Sequence, residues 1–120
     1  MPRSTPDPHE MLPLPAAMFH ILVAVADRDR HGYAIMQDVA VRTNGALKLS
    51  PGTLYGSIRR MLEEGLLVEL SDRQRPDEDD ERRRYYRLTA YGRSVAQAEA
   101  SRLATLLRQA KAAGLAPGHG

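Results

Sequence analysis

Apolar residues recur along this chain with two different periods, and the changes of period mark its elements. After a proline-rich opening, Pro15 stands at the start of AAMFHILVAVAD, where Phe19, Ile21, Leu22, Val23 and Val25 make a segment apolar on nearly every side. That pattern predicts a central, well-covered helix ending near Asp27, followed by a turn over Arg28 to Arg30. From Tyr33 to Thr43, Ile35, Met36, Val39 and Ala40 keep a period near 3.6 until Asn44-Gly45 stops it, so a second helix is expected there. Leu47-Lys48-Leu49 alternates and predicts a short strand.

The stretch SPGTLYGSIRRMLEEG (50–65) carries its own punctuation. Ser50 suits the N-cap, Pro51 the first helical position, and Gly65 the left-handed residue that closes a helix. Leu54, Ile58, Met61 and Leu62 fall on one stripe that must be buried. The opposite face holds Gly52, Thr53, Gly56, Arg59 and Arg60, with Ser57 beside them. A glycine inside an exposed helical face costs about 1 kcal/mol relative to alanine. Letting another surface approach the backbone closely would recover that cost. A small, hydroxyl-bearing, arginine-edged face suits the DNA major groove. An ordinary amphipathic helix with a solvated outer face would show the same stripe, so this helix alone leaves both readings open.

Beyond Gly65, LLVEL and Arg84-Tyr85-Tyr86-Arg87-Leu88 read as two strands joined by a charged loop with Pro76. Thr89 is an expected N-cap for a last helix from Ala90 to about Ala113, broken by Gly114 and Pro117. Its stripe of Val95, Leu103, Leu106, Leu107 and Ala110 is too long to be buried on so small a domain, and is expected to form a dimerisation arm. The fold class is therefore mainly α with a small β-wing: a winged helix-turn-helix plus a long C-terminal helix. Residues 1–13 are expected to be a flexible arm, 14–89 the winged helix-turn-helix, 90–113 the dimerisation helix and 114–120 a disordered tail.

Composition narrows the chemistry. The 120 residues contain no cysteine and no tryptophan, so disulfides, thiolate metal sites and a cysteine nucleophile are excluded. The four histidines, His9, His20, His31 and His119, form no metal-ligand spacing, and His31 stands where a helix-capping hydrogen bond is expected. No nucleotide-binding or hydrolase fingerprint is present, so no enzyme, cofactor or metal is expected. Nor is a membrane span or a signal peptide, and the expected location is the bacterial cytoplasm, at the nucleoid. The formal charge of +2 hides a segregation: residues 77–81 read Asp-Glu-Asp-Asp-Glu, and the other residues carry 17 basic against 10 acidic groups, a net +7. Such a remainder suits a polyanionic partner.

In its motifs HGYAIM (31–36), SPGTLYGSIRRMLEEGLL (50–67) and RRRYYRLTAYGR (82–93), the chain resembles the PadR family of bacterial transcriptional regulators. The resemblance runs from about Leu14 to Leu107 and is nearest to the short-tailed branch with a single C-terminal helix. It implies a winged-helix homodimer that binds double-stranded DNA at a pseudo-palindromic operator and represses, with a small apolar or aromatic effector as a possible releasing ligand. Two departures stand out. A glycine follows Tyr55 where many members have proline, and the wing carries acids that do not suit insertion of its tip into the minor groove.

The expected DNA contacts are Thr53, Ser57, Arg59 and Arg60 on the third helix, with Lys48 and Ser50 at its approach. Tyr55 matches a tyrosine that in the resembling family contacts phosphate, while a plain domain-edge tyrosine is the alternative. Tyr33 is weighed the same way. Arg82, Arg83 and Arg84 stand at the base of the wing, where they reach DNA or pair with the neighbouring acids. Strand alternation lets at most two of them reach DNA together. Met18, Phe19, Leu22 and Tyr91 are candidates for lining an effector pocket, or plain core. The competing function is a winged-helix protein–protein interaction module.

Overall fold

In the computed structural model, which describes residues 5–71, 73–74 and 83–115, the chain forms four α-helices and a small antiparallel sheet. The helices are α1 (Ala16–Ala24), α2 (Gly32–Arg42), α3 (Pro51–Glu63) and α4 (Ala90–Ala112). The strands are β1 (Arg30–His31), β2 (Leu67–Glu69) and β3 (Tyr85–Leu88), in the order β1-β3-β2. β3 lies between the others, pairing His31 with Tyr85 on one side and Leu67 with Leu88 on the other.

Three helices begin where their capping residues stand. His31 Nδ1 accepts from the Ala34 amide, Ser50 Oγ from the Thr53 amide, and Thr89 Oγ1 from the Gly92 amide. Gly65, at φ +78°, ends the third helix in the left-handed conformation. Thr89 also ties the end of α3 to the start of α4, because its hydroxyl donates to the Gly65 carbonyl at 2.6 Å. A Cβ at Gly92 would run into the Leu66 carbonyl, so α4 lies directly on the chain entering β2.

The core sits between α1 and the other three helices. Ile21, Leu22, Ile35, Leu54, Met61 and Val95 are wholly buried there. Arginines brace the turn that leads from α1 into α2. Arg30 donates to the Ala24 carbonyl and pairs with Asp38; Arg87 grips Asp29 with two hydrogen bonds of 3.1 and 2.9 Å; Arg93 donates to the Ala26 carbonyl.

Several expectations are corrected. Helix α1 stops at Ala24 rather than near Asp27, and Arg30, the last residue of the expected turn, opens the strand Arg30–His31. Leu47 to Leu49 form no strand, since Leu49 turns into the core and no described strand pairs with the segment. The segment 5–13 is not a loose arm. Asp7 caps a 3-10 helix, Pro8–Met11, with Glu10 reciprocating, and this helix packs on α4. The Leu14 amide then donates to Glu99, a carboxylate only 2% exposed that Arg102 also holds. Proline there directs the chain along α4 instead of freeing it. The acidic run 77–81, residues 1–4 and the tail from residue 116 lie outside the described residues.

Candidate nucleic-acid interface

Helix α3 divides cleanly. Leu54, Ile58 and Met61 are buried, whereas Gly52, Thr53, Gly56, Arg59 and Arg60 are exposed, and Ser57 is half-buried on the flank. A Cβ built on Gly56 would meet nothing within 4 Å, so the backbone there is bare. At the N-terminal end, Ser50 Oγ donates to Thr53 Oγ1 while capping the helix, and Lys48 is exposed just before it. At the other end Arg60 is tied to Glu64 by an ion pair of 3.0 Å, one turn along and partly solvated. Such a pair is weak and exchanges readily for a phosphate.

Beside this face, the start of α2, the flank of α3 and the root of the wing line a half-open cavity of about 390 Å³. Tyr33 and Tyr55, 58% and 50% exposed, stand at its walls with Arg83 and Arg84, and the backbone of Gly32 lies in it. A Cβ at Gly32 would lie 2.5 Å from the Tyr55 hydroxyl oxygen, so the missing side chain lets the Tyr55 ring lie over the start of α2, and a larger residue would move that ring aside. Tyr86 closes the back. Burial pushes its hydroxyl pKa up, with Glu69 and Tyr55 adding to the shift, so it stays protonated. Arg84 lies 3.7 Å from Glu69, and Arg83 reaches His31. Among the described residues the cavity is lined by positive charge and hydroxyl donors with no carboxylate, a set suited to an anion.

Four expected residues thus converge on one site: Tyr33, Tyr55, Arg83 and Arg84. Arg83 and Arg84 reach it together because they precede β3, so strand alternation does not separate them. Arg82 lies outside the described residues. Sequence reasoning did not place His31, Gly32 and Tyr86 in the site. The signal available was the glycine between His31 and Tyr33, whose purpose shows only once Tyr55 is seen above it.

Two other expectations change. Val95 is buried in the chain's own core, so the open stripe of α4 begins at Leu103 and continues through Leu106 and Leu107, with Ala110 half-buried. Met18 and Leu22 are core side chains 2% and 0% exposed, and Phe19 and Tyr91 pack partly buried against that core. These four fill space rather than surround it, because α1 lies against α2, α3 and α4 at once. Among the described residues no cluster of side chains suits a metal ion, and no helix is long and apolar enough to cross a membrane.

The model of the transcriptional regulator PadR-like family matches residues 21–98. The chain is similar to transcriptional regulator Rv3488 of Mycobacterium tuberculosis, 33% identical over 94 residues that make 78% of this chain and 81% of that one. It is also similar to an uncharacterized 37.1 kDa protein in transposon TN4556 of Streptomyces fradiae, 36% identical over 90 residues, covering 75% of this chain but only 24% of that longer protein. In fold it resembles the crystal structure of a PadR family transcription regulator from hypervirulent Clostridium difficile R20291. There the TM-score is 0.66 at 23% identity, over 81% of this chain and 96% of that one.

Proposed function

The chain belongs to the PadR-like family of transcriptional regulators, which are DNA-binding proteins and not enzymes, and from that premise we propose that it acts as a dimeric, sequence-specific repressor. Helix α3 enters the major groove with Thr53, Ser57, Arg59 and Arg60 toward the bases and the groove edges. The neighbouring cavity, with Tyr33, Tyr55, Arg83 and Arg84, grips the phosphate backbone alongside, and Lys48 and Ser50 steady the approach. Leu103, Leu106, Leu107 and Ala110 of α4 meet their counterparts in a second copy. The two recognition helices then reach successive major grooves, about 34–36 Å apart, on a pseudo-palindromic site. The observation that carries this reading is the uncovered Gly52–Gly56 ridge flanked by two arginines, since an exposed helix gains nothing from glycine unless a surface comes close. An effector pocket inside the core of the single chain is not part of the proposal, because Met18 and Leu22 are packed there.

Fluorescence anisotropy with a random duplex and with the DNA upstream of its own gene, each at low and moderate salt, tests the proposal. Binding should fall steeply with salt, and Arg59→Ala should lower the log–log slope by about one. A weak response, flat in salt for both duplexes, would instead indicate that the same face docks a protein.

A further inference from the structure

Packing accounts for the ring of Tyr86 but not for its hydroxyl. Tyr86 stands in the middle strand β3, opposite Arg30 of β1 and Glu69 of β2. Its ring belongs to the hydrophobic core, and the residue is 4% exposed. A phenylalanine would fill the same space. A tyrosine buried to this degree seldom lacks a hydrogen-bond partner for its oxygen, yet none holds this hydroxyl among the described residues. Nor is it sealed from water. The described side-chain atoms both buried and without a partner are Glu64 Oε2 and the Tyr91 hydroxyl oxygen, so the Tyr86 oxygen keeps contact with solvent. The cavity that Tyr86 lines is the opening on its side of the sheet.

The surroundings fit that hydroxyl to a negatively charged oxygen. Burial first, then Glu69 and Tyr55, raises its pKa, so it remains a donor, and the charge of Arg84 is near enough to act on it in the opposite sense. Arg84 lines the same cavity, 3.7 Å from Glu69 in an exposed pair that a stronger anion can displace. Helix α2 begins in the cavity at Gly32, so its positive end faces the same space. We propose that the Tyr86 hydroxyl is the buried donor of a phosphate subsite, donating to one oxygen of a phosphate that enters the cavity while Arg84 neutralises its charge. The DNA backbone supplies that phosphate on the reading above, on which the assignment rests; a free phosphate presents the same oxygens. The two groups contribute differently. Arg84 releases a counterion, whereas the neutral hydroxyl releases none.

The test uses the full chain, random-sequence duplex DNA and, separately, inorganic phosphate, because phosphate contacts carry no sequence information. Tyr86→Phe deletes a hydroxyl with no partner in the fold to lose, so its Tm should equal or exceed that of the parent. Its affinity for the duplex should fall about tenfold per subunit at an unchanged salt slope. Arg84→Ala should lower both the affinity and, by about one, the slope. Binding of inorganic phosphate is read from the ring resonances of the carbon-13 tyrosine-labelled chain. Weakening by Tyr86→Phe toward the duplex alone assigns the oxygen to the DNA backbone, weakening toward phosphate alone assigns it to a free phosphate, and weakening toward both shows a subsite open to either. Tyr86→Phe that matched the parent toward both, or that melted below it, would overturn the assignment. Absence of duplex binding by the parent protein would remove the DNA reading itself and leave the phosphate arm to decide the subsite, so the two failures are told apart.

Discussion

Gly56→Ala tests the central argument because it drives stability and function in opposite directions. Gly56 is the sixth residue of α3 and exposed, and a Cβ there would touch nothing within 4 Å. No clash offsets the gain in helix propensity, so the folded chain should become more stable by about 1 kcal/mol. For a chain of this size that corresponds to a Tm increase of roughly 4 °C, read by circular dichroism at one fixed protein concentration. A methyl group on the same ridge stands between the α3 backbone and the groove floor. Losing one well-placed base contact costs about 1–3 kcal/mol, so affinity for duplex DNA should fall about tenfold in an anisotropy titration of the same preparation. A Gly56→Ala protein that bound DNA as tightly as the parent would refute the reason given for the bare ridge. One that melted lower would show the ridge to be covered in the assembled protein, which contradicts the same reasoning from the other side.

Other perturbations follow from the same geometry. Gly32→Ala should push the Tyr55 ring out of the cavity with a small effect on Tm, and lower duplex affinity about as much as Tyr55→Ala, the double variant being no worse. Leu106→Glu, at a position 51% exposed on the single chain, should leave the fold intact and yield monomers in analytical ultracentrifugation. Glu99→Ala should cost about 1–3 kcal/mol in chemical denaturation, since the Leu14 amide loses its acceptor while Arg102, 38% exposed, turns to water. The Arg102 side chain, and then the Leu14 amide, hold the Glu99 carboxyl below its ordinary value of 4.5. A depressed folded value means that the charge-dependent part of its stabilisation is complete above that ordinary value and disappears as pH falls through the folded one. The stability gap between parent and Glu99→Ala should therefore be level at neutral pH and shrink only in acid.

What could be read from the chain alone was whatever neighbours in sequence decide. Ser50-Pro51, Thr89 and Gly65 mark helix ends through bonds to residues within a turn, so α3 and α4 were legible nearly to the residue. The face of α3 that bears Gly56 and Arg59 follows from a period of 3.6, and so did the candidate for the groove. Contacts between distant segments were not legible. Arg30–His31 is a strand only because β3 lies beside it, and Leu47–Leu49 is not one because no described strand pairs with it. The proline-rich opening is held by a carboxylate 85 positions away, a distance across which composition carries no information. Val95 and Leu103 belong to one apolar stripe, yet one is core and the other is open, because the domain ends between them. The cavity of Tyr33, Tyr55, Arg83 and Arg84 likewise exists only once three elements are assembled, since hydrogen bonds and packing act through space and periodicity acts along the chain.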